Sequence, residues 1–441
     1  MGKKIICTLL CLLALPLGAG TTQGADIYVA PAGSGDGTII DPTDLQTALA
    51  TAAGNGDEEN ILFLRTGTNA GNFVYQPASG DSDLEIRGGY SSDYGSRTLD
   101  PANTILTGAG TGSVLKINDW GTTVSGSILI EGITVRNGDS DLGGGIYAVT
   151  RPPGMVTLRH VIIEDNRAKG KGGGCFLASA APSLHSGGQV VLADTIIRRN
   201  HVTGYTESGS AEAGEGDGCL IIAADHTMLT NNLVYGNTGG TANSYDGYGG
   251  GLLVLVSNGE VILANNTITA NRVYSGQGGG GSGSGGLFLE TAEKSWGPGD
   301  IRISNTIIHG NHAPASAGTD IVNNISDSGP AADSTVYLGY SDYGHMVNIG
   351  GVTPSLEKTI QANPLFSHAP KTLYYLRAGS RCVDSGDKDD PNMPSTDLAG
   401  IHRPLDGDGD GIPVPNMGCY EKVVHFPWAM YIPVFTSGRN R

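Results

Sequence analysis

The chain has 441 residues, of which 70 are glycine, while only 6% are aromatic and 16% are charged. No Gly-X-Y period is present, which excludes collagen, and the sparse charge excludes a disordered polyelectrolyte. The formal net charge of −17 argues against nucleic acid as a partner, because that binding needs clustered Lys and Arg. An apolar fraction of 39% is enough to form a long, thin core.

The N-terminal segment has the pattern of a secretory signal peptide. Lys3 and Lys4 precede an apolar run from Ile5 to Leu17, and small residues follow it. This run is too short to span a bilayer comfortably, so we predict no transmembrane span in the mature chain. Residues 1–25 are therefore predicted to be a signal peptide cleaved between residues 19 and 25, and the mature protein to be extracellular or held at the cell surface.

Residues 26–127 predict an N-terminal cap followed by the first coils. Asp44 is placed to cap a short helix over residues 45–53, where Ala and Leu dominate. Such a helix would cover the open apolar end of the first coil, which is otherwise prone to aggregate. The apolar stretches 61–63 and 84–86 predict early strands.

Residues 128–325 contain a repeat of six units, in which a β-rich stretch ends in Asn and is followed by a polar loop, glycines and an apolar strand. Short β-branched runs separated by Gly and Asn argue against helical repeats, and three strands per unit argue for a solenoid coil. We predict an all-β, right-handed parallel β-helix whose asparagines form a ladder. The Asn row comprises Asn137, Asn166, Asn200, Asn237, Asn271 and Asn311.

The units differ in length mainly between the Asn row and the glycines, which predicts loops on one side of the solenoid, often the binding side. Tyr205, Tyr245, Tyr248 and Tyr274 lie in these loops. If the loops stack, the four rings form an exposed strip that suits sugar rings or a protein partner, and we predict them as ligand contacts. The alternative is that each ring packs over its own loop.

The cysteines of the mature chain fall into two pairs. Cys382 and Cys419 lie in the same C-terminal region and form a possible disulfide if the geometry permits, with two free thiols as the alternative. Cys175 and Cys219 occupy equivalent positions in neighbouring units, where parallel inward side chains suit thiol packing better than a bridge.

Asp406, Asp408 and Asp410 alternate with glycines, as in the first half of a calcium loop. A methionine stands at the twelfth position, where a bidentate Glu is expected, so only half of the motif is present. We predict either a Ca²⁺ site at the three aspartates or a solvated acidic turn. Asp397 or Glu421 would complete the cation site if the fold brought them near.

No catalytic residue is assigned. Cleavage of a polysaccharide needs paired carboxylates, or a base beside a bound cation, on one face. The repeat places Glu164, Asp165 and Asp194 near one another, as it does Arg198 and Arg199, and an enzyme would use this face. Scattered charges at outward strand positions are the alternative.

Two stretches resemble known families. The glycine-then-apolar motifs and NTIIHGN-like strands of residues 128–325 resemble the repeats of polymorphic outer-membrane proteins and related right-handed β-helix proteins. Residues 326–421, an irregular C-terminal cap, resemble the choice-of-anchor Q domain of bacterial surface proteins through the motifs NPLF, VDSG and MGCYE. The resemblance implies a secreted or surface-held protein and no reaction. The apolar tail 422–441, with its basic end, is predicted to be a sorting peptide or a packed cap strand.

Together these observations predict a secreted or cell-surface β-helix protein that binds an extracellular glycan or a surface protein without catalysis, as an adhesin does. The alternative is a polysaccharide lyase or glycoside hydrolase that acts on an extracellular polysaccharide, because a fold by itself does not decide function. Ca²⁺ is the one cofactor that the sequence suggests.

Overall fold

The computed structural model describes residues 24–56, 59–77, 83–119, 126–180, 187–207, 210–212, 215–240, 248–256, 259–274, 283–291, 299–313, 320–325, 334–370 and 373–423. Nearly all of the predicted signal peptide and of the apolar tail lies outside the described residues, as does Tyr245. Within these ranges, no helix combines the length and the apolar character needed to pass through a bilayer.

The strands wind into three parallel sheets. Each strand pairs in register with the equivalent strand of the next coil, as Ile163 does with Ile197 and Ile197 with Val234. Because equivalent strands stack in parallel while the chain passes from sheet to sheet, the fold is a right-handed parallel β-helix, which confirms the prediction from the repeat. An antiparallel hairpin lies in one of the loops.

We number the strands along the chain and group them by sheet. Sheet A contains β1 (Ala25–Val29), β2 (Glu59–Arg65), β3 (Gly67–Ala70), β5 (Asp83–Tyr90), β6 (Thr104–Thr107), β8 (Ile128–Arg136), β11 (Met155–Glu164), β14 (Gln189–Ala193), β15 (Ile196–Arg198), β20 (His226–Thr230), β21 (Leu233–Tyr235), β24 (Gly259–Ala264), β25 (Thr267–Thr269), β28 (Gly299–Ser304), β29 (Ile307–His309), β31 (Thr335–Gly339), β32 (Asp342–Tyr343) and β34 (Ser355–Glu357). Sheet B contains β4 (Phe73–Tyr75), β7 (Leu115–Asn118), β10 (Ile146–Thr150), β13 (Cys175–Ser179), β19 (Cys219–Ala223), β23 (Leu252–Val256), β27 (Leu287–Thr291), β30 (Ile321–Asn324) and β33 (Met346–Asn348). Sheet C contains β9 (Asp139–Leu142), β12 (Arg167–Lys171), β16 (His201–Val202), β22 (Thr238–Gly239) and β26 (Arg272–Val273), and the hairpin is β17 (Tyr205–Glu207) with β18 (Ser210–Glu212).

Alternate side chains of each strand point into the coil and stack into rows about 4.8 Å apart. These rows merge into one hydrophobic cluster that includes helix residues and strands from both ends of the solenoid. A slip of one residue would turn a whole row toward solvent, so the apolar pattern specifies the register. One such row, at most 2% exposed, comprises Leu158, Leu192, Leu229, Leu263, Ile303 and Leu338.

A buried ladder of asparagines lies at the corner between sheets A and C. Each Nδ2 donates to Oδ1 of the asparagine one coil later, at 2.9 to 3.0 Å. Asp320 ends the ladder, because its Oδ1 accepts from Nδ2 of Asn311 at 2.9 Å. Burial makes an unmade amide hydrogen bond costly, so the ladder ties each coil to the next. Its members are Asn166, Asn200, Asn237, Asn271 and Asn311.

Asn137 is not part of this ladder, and its predicted place in the row was wrong by one residue. The strand register makes Asn137 equivalent to Asp165, and Gly138 equivalent to Asn166. Asn137 (φ 64°) and Asp165 (φ 55°) both adopt the left-handed conformation at the turn that precedes the ladder. The Gly138 amide donates to Oδ1 of Asn166 at 3.0 Å and so begins the ladder.

Helix α1 (Leu45–Gly54) covers the N-terminal end of the solenoid, as predicted. Oδ1 of Asp44 accepts from the Thr47 amide at 3.0 Å and caps the first turn. Leu45 and Leu49 are buried and belong to the main hydrophobic cluster. The helix therefore shields the apolar edge of the first coil from pairing with another chain.

The coils continue to β34, and the C-terminal segment (residues 361–423) then packs along the outer flank of sheet A. It follows a row of turns in which Asn231, Asn265 and Asn305 adopt the left-handed conformation. Nδ2 of Asn305 donates to the carbonyl of Asp387 at 3.0 Å, and Oδ1 of Asn231 accepts from Nη2 of Arg403 at 3.1 Å. The segment thereby reaches back across several coils.

The cysteines pair differently from the prediction. Cys175 and Cys219 face each other in register on β13 and β19 and form a disulfide, with their Cα atoms 4.6 Å apart. The prediction of packed free thiols was wrong, because adjacent coils bring these Cα atoms within disulfide range. Cys382 and Cys419 are free and buried, so the possible bridge between them is not formed. They belong to two different hydrophobic clusters that the C-terminal segment forms with sheet A, and Cys382 packs against Asp342.

Candidate functional site

An open groove of about 620 Å³ lies on the outside of the early coils, where sheets B and C meet. One wall is β9, whose Asp139 forms a backbone bridge with Gly112 of the preceding segment. The floor is the outer face of β7 and β10. The side chains that give the groove its chemistry are Ser113, Lys116, Asp139, Asp141, Tyr147 and Lys169.

Tyr147 supplies the aromatic surface of the groove. It points outward because strand side chains alternate and its neighbours Ile146 and Ala148 fill the core. Its ring stacks on that of Phe176 one coil later, with centroids 5.3 Å apart, and Nζ of Lys116 lies 5.7 Å from its centroid. Burial raises the pKa of Tyr147, so the phenol remains a neutral donor and acceptor.

Charged and hydroxyl groups line the walls on both sides of this ring. Nζ of Lys169 donates to Oδ1 of Asp141 at 2.9 Å, and this hydrogen bond raises the pKa of Lys169. Arg167 lies 3.7 Å from Asp139. The hydroxyl of Ser113 donates to the carbonyl of Leu142 at 3.1 Å. An aromatic face between donors and acceptors can stack on a sugar ring while hydrogen-bonding its hydroxyls.

The predicted tyrosines that the structure describes lie outside this groove. Tyr248 packs edge-on against Phe288 with centroids 5.1 Å apart, and Tyr274, 38% exposed, lies under the guanidinium of Arg272. Tyr205 begins the hairpin strand β17, and its side chain is outside the described residues, as Tyr245 is. Their role as ligand contacts stays a prediction.

Sequence reasoning missed the groove. The predicted ligand contacts are aromatic residues of the long loops, whereas Tyr147 lies on a regular strand directly after the glycines. A signal was present, because Tyr147 and Phe176 are aromatic residues at outward positions of consecutive repeats. An outward aromatic residue that recurs with the period of the repeat predicts a stacked pair on the surface.

A second candidate site is a cluster of carboxylates in the C-terminal segment. One oxygen from each of Asp384, Asp406 and Asp408 lies within 4.8 Å of the others. Asp410, the third predicted ligand, is not in this group, and its Oδ1 accepts from the Ile412 amide at 2.8 Å. Asp384 takes its place although it precedes Asp408 by 24 residues, a distance that no local motif covers.

The electrostatics of this cluster suit a cation. Burial raises the pKa of Asp384, and the charges of Asp408 and Asp406 add to this effect, while hydrogen bonds from the amides of Gly407 and Asp408 oppose it. Those amides donate to Asp384 at 3.0 and 2.8 Å and hold the loop around it. A hard cation would relieve the repulsion between the carboxylates, and oxygen ligands are those that Ca²⁺ prefers.

Asp397 and Glu421 do not complete the cluster. Both are buried, and Oε1 of Glu421 lies 3.4 Å from Nε of Arg403, which is itself fully buried. Asp397 accepts from the amides of Ala399 and Ile401 at 2.8 Å. These two carboxylates therefore hold the C-terminal segment together, away from the three aspartates.

The carboxylates and arginines of the alternative catalytic face do meet on sheet A, except for Asp194. Nε of Arg198 donates to Glu164 at 2.7 Å, and Arg199 pairs with Glu164 at 2.9 Å and with Asp165 at 2.8 Å. Asp194, at the preceding turn, accepts from an asparagine amide at 2.6 Å. The hydrogen bond from Arg199 lowers the pKa of Asp165. The lowered pKa indicates that Asp165 belongs to a row of ion pairs and is not a general base, because a base works best with a pKa near the working pH.

No protein-family model matches the chain, and no curated protein matches it. Among solved structures it is similar to the crystal structure of pectate lyase Pel9A, with a TM-score of 0.45 and 13% sequence identity. That alignment covers 90% of this chain and 96% of the other. The strand pairing of the chain itself shows the parallel β-helix.

Proposed function

We propose that this protein is a secreted or cell-surface glycan-binding protein whose ligand occupies the groove over Tyr147. The observation that carries the proposal is a half-buried stacked ring that lies among Lys116, Asp141 and Lys169 in one open groove. Sugars present an apolar face and a rim of hydroxyls, and this groove offers a partner for each. Its position on regular strands holds these partners in a fixed geometry.

The test is binding of the purified protein to a panel of polysaccharides, followed by substitution of the ring. Tyr147→Ala should weaken binding about tenfold, which corresponds to roughly 1.4 kcal/mol, because the stacking surface is lost. Tyr147→Phe keeps that surface and should bind within about threefold of the original. Tyr337→Ala is the matched control, since this ring lies against the guanidinium of Arg302 and is outside the groove. Equal binding by Tyr147→Ala and the original protein would refute the proposal.

The alternative function is a polysaccharide lyase or a glycoside hydrolase. The observation that favours it is the presence of two carboxylates, Asp139 and Asp141, in the same groove. Each has a basic side chain beside it, Arg167 and Lys169 respectively, which argues for binding rather than proton transfer. Release of unsaturated or reducing ends from any member of the panel would establish catalysis and displace the binding proposal.

We propose further that Asp384, Asp406 and Asp408 hold a Ca²⁺ ion that stabilises the C-terminal segment. The convergence of their oxygens within 4.8 Å supports this proposal. Added Ca²⁺ should raise the unfolding temperature, since a ligand that binds only the folded state stabilises it. Asp408→Asn should abolish the shift, while Asp410→Asn, a carboxylate outside the group, should keep it. An unfolding temperature that does not respond to Ca²⁺ would contradict the proposal.

Export and surface attachment are also proposals. They are supported by the basic and apolar order of residues 1–25, and by the resemblance of residues 326–421 to an anchor domain of surface proteins. Expression of the full chain in a bacterial host, with N-terminal sequencing of the mature protein and fractionation of the cells, tests both. Recovery of the uncleaved chain in the cytoplasm would contradict them.

A further inference from the structure

Asp217 interrupts a row of glycines at the turn that enters sheet B. The strand register makes it equivalent to Gly144, Gly173, Gly250 and Gly285 in the other coils. The Asp217 side chain is fully buried, and neither of its carboxyl oxygens has a hydrogen-bond partner. A buried polar group without a hydrogen-bond partner lowers the stability of the fold, so the presence of Asp217 here needs an explanation.

A row of residues on sheet C faces these glycines. It has a glycine in the coil where the first row has Asp217. Its members on sheet C are Ala168, Val202, Gly239 and Val273. A Cβ at Gly239 would lie 2.0 Å from both oxygens of Asp217, so the carboxyl occupies the space that Val fills in the neighbouring coils. At the equivalent corner one coil later, a Cβ at Gly250 would lie 3.1 Å from the side chain of Val273. Each of these two corners is therefore filled by a single side chain, which is Val273 at the later corner and Asp217 at the earlier one.

The surroundings of Asp217 offer it no charge partner among the described residues. Burial alone raises its pKa well above the ordinary value of 3.8. The titratable groups of the adjoining elements are engaged elsewhere: His201 with Thr238, Glu215 with Lys171, Arg167 with Asp139 and Tyr248 with Phe288. The carboxyl is therefore packed as a neutral acid, without a cation to hold its ionised form.

We propose that Asp217 and Gly239 form a pH-sensitive joint in the solenoid, closed when the carboxyl is protonated and opened when it ionises. The ionised group must reach water, and to do so it must leave the space over Gly239 and separate β22 from the turn before β19.

The direction of the pH effect follows from linkage. Because the folded-state pKa of Asp217 is raised above the unfolded value, its neutral form supports folding fully below about pH 4. That support is lost as the pH rises through the folded-state pKa. Between about pH 4 and the folded-state pKa, the fraction of open molecules should grow about tenfold per pH unit, and above that pKa it should level off.

The test compares the protein with Asp217→Asn, which has a similar shape and does not titrate. Hydrogen exchange of the amides of residues 215–223 is measured from about pH 4 to about pH 8. The ratio of the original rate to the variant rate should rise with pH, and division by the variant rate removes the pH dependence of the exchange chemistry itself. A ratio that stays constant over the whole range would overturn the proposal.

A second set of variants tests the exchange of side chains between the two rows. Asp217→Gly combined with Gly239→Val restores the pattern of the neighbouring coils and should unfold at the highest temperature, with the flattest pH profile. Gly239→Val alone should be destabilised, because its side chain collides with the carboxyl. The Gly239→Val variant is compared with the variant that carries both Gly239→Val and Asp217→Gly. If the two unfold at the same temperature, Asp217 and Gly239 do not share the corner and the joint does not exist.

Discussion

Nη2 of Arg403 lies 3.1 Å from Oδ1 of Asn231, although the two residues are 172 positions apart in the chain. The same guanidinium donates to the carbonyl of Gly418 at 3.2 Å, and its Nε faces Glu421 at 3.4 Å. Arg403 and Glu421 are both fully buried. One ion pair therefore joins Arg403 to the last residues of the C-terminal segment, and Arg403 fastens them to a turn of the solenoid.

Burial raises the pKa of Glu421 to about 7, so this group can take up a proton when its partner is removed. Arg403→Met should therefore destabilise the C-terminal segment by about 1–3 kcal/mol, mainly because the buried hydrogen bonds to Asn231 and Gly418 are lost. Combined Arg403→Met and Glu421→Met should recover part of this loss, since a buried pair replaced by apolar groups is often close to neutral. Limited proteolysis of residues 361–423 and chemical unfolding measure the effect. A double variant as unstable as the single one would show that the charges do not act as a pair.

The Asn ladder should depend strongly on position. Asn237→Ala removes the acceptor of two hydrogen bonds from Asn200 and strands buried donors, which should cost about 3 kcal/mol. Asn137→Ala is the matched control outside the ladder. It should cost only about 1 kcal/mol, for the left-handed conformation that alanine adopts less readily. Urea unfolding of both variants tests this, and equal costs would place Asn137 in the ladder after all.

The disulfide between Cys175 and Cys219 should add about 4 kcal/mol to the stability in the chain-entropy model, because the two cysteines are 44 residues apart. Reduction should lower the unfolding temperature accordingly. Peptide mapping without reductant should yield one linked pair, and alkylation of the denatured mature protein should label Cys382 and Cys419 alone. Labelling of Cys175 or Cys219 without prior reduction would contradict this pairing.

Glu131 should govern part of the acid sensitivity. Burial alone would raise its pKa, but the hydrogen bonds and charges of Arg97 and Arg159 outweigh burial and lower it. Because the folded-state pKa is depressed, Glu131 adds stability above about pH 4.5 that is lost as the pH falls through the folded-state value.

Glu131→Gln should therefore cost about 2 kcal/mol at neutral pH and progressively less in acid. Thermal unfolding of the original protein and the variant between about pH 2 and about pH 7 measures the difference. Glu85→Gln is the control, since this carboxylate is more exposed and pairs with a single arginine, Arg87. A cost for Glu131→Gln that does not change with pH would contradict the assignment.

The local order of residues determined the coil, the core and the N-terminal cap. The repeat brings equivalent positions into register, so the buried row of Leu158 and Leu192 and the ladder of Asn166 and Asn200 follow from the period alone. Asp44 before an Ala- and Leu-rich stretch predicts the capping helix in the same way, because a cap acts within one turn. These features need no knowledge of how distant segments pack.

The tertiary structure decided which distant groups meet. The period brings Cys175 and Cys219 into equivalent positions, but only the distance between the stacked strands shows that they can bond. Asp384 joins Asp408 because an irregular segment folds back on itself, and no repeat or spacing encodes that path. The groove over Tyr147 likewise exists because two sheets meet at an angle, which depends on packing in three dimensions.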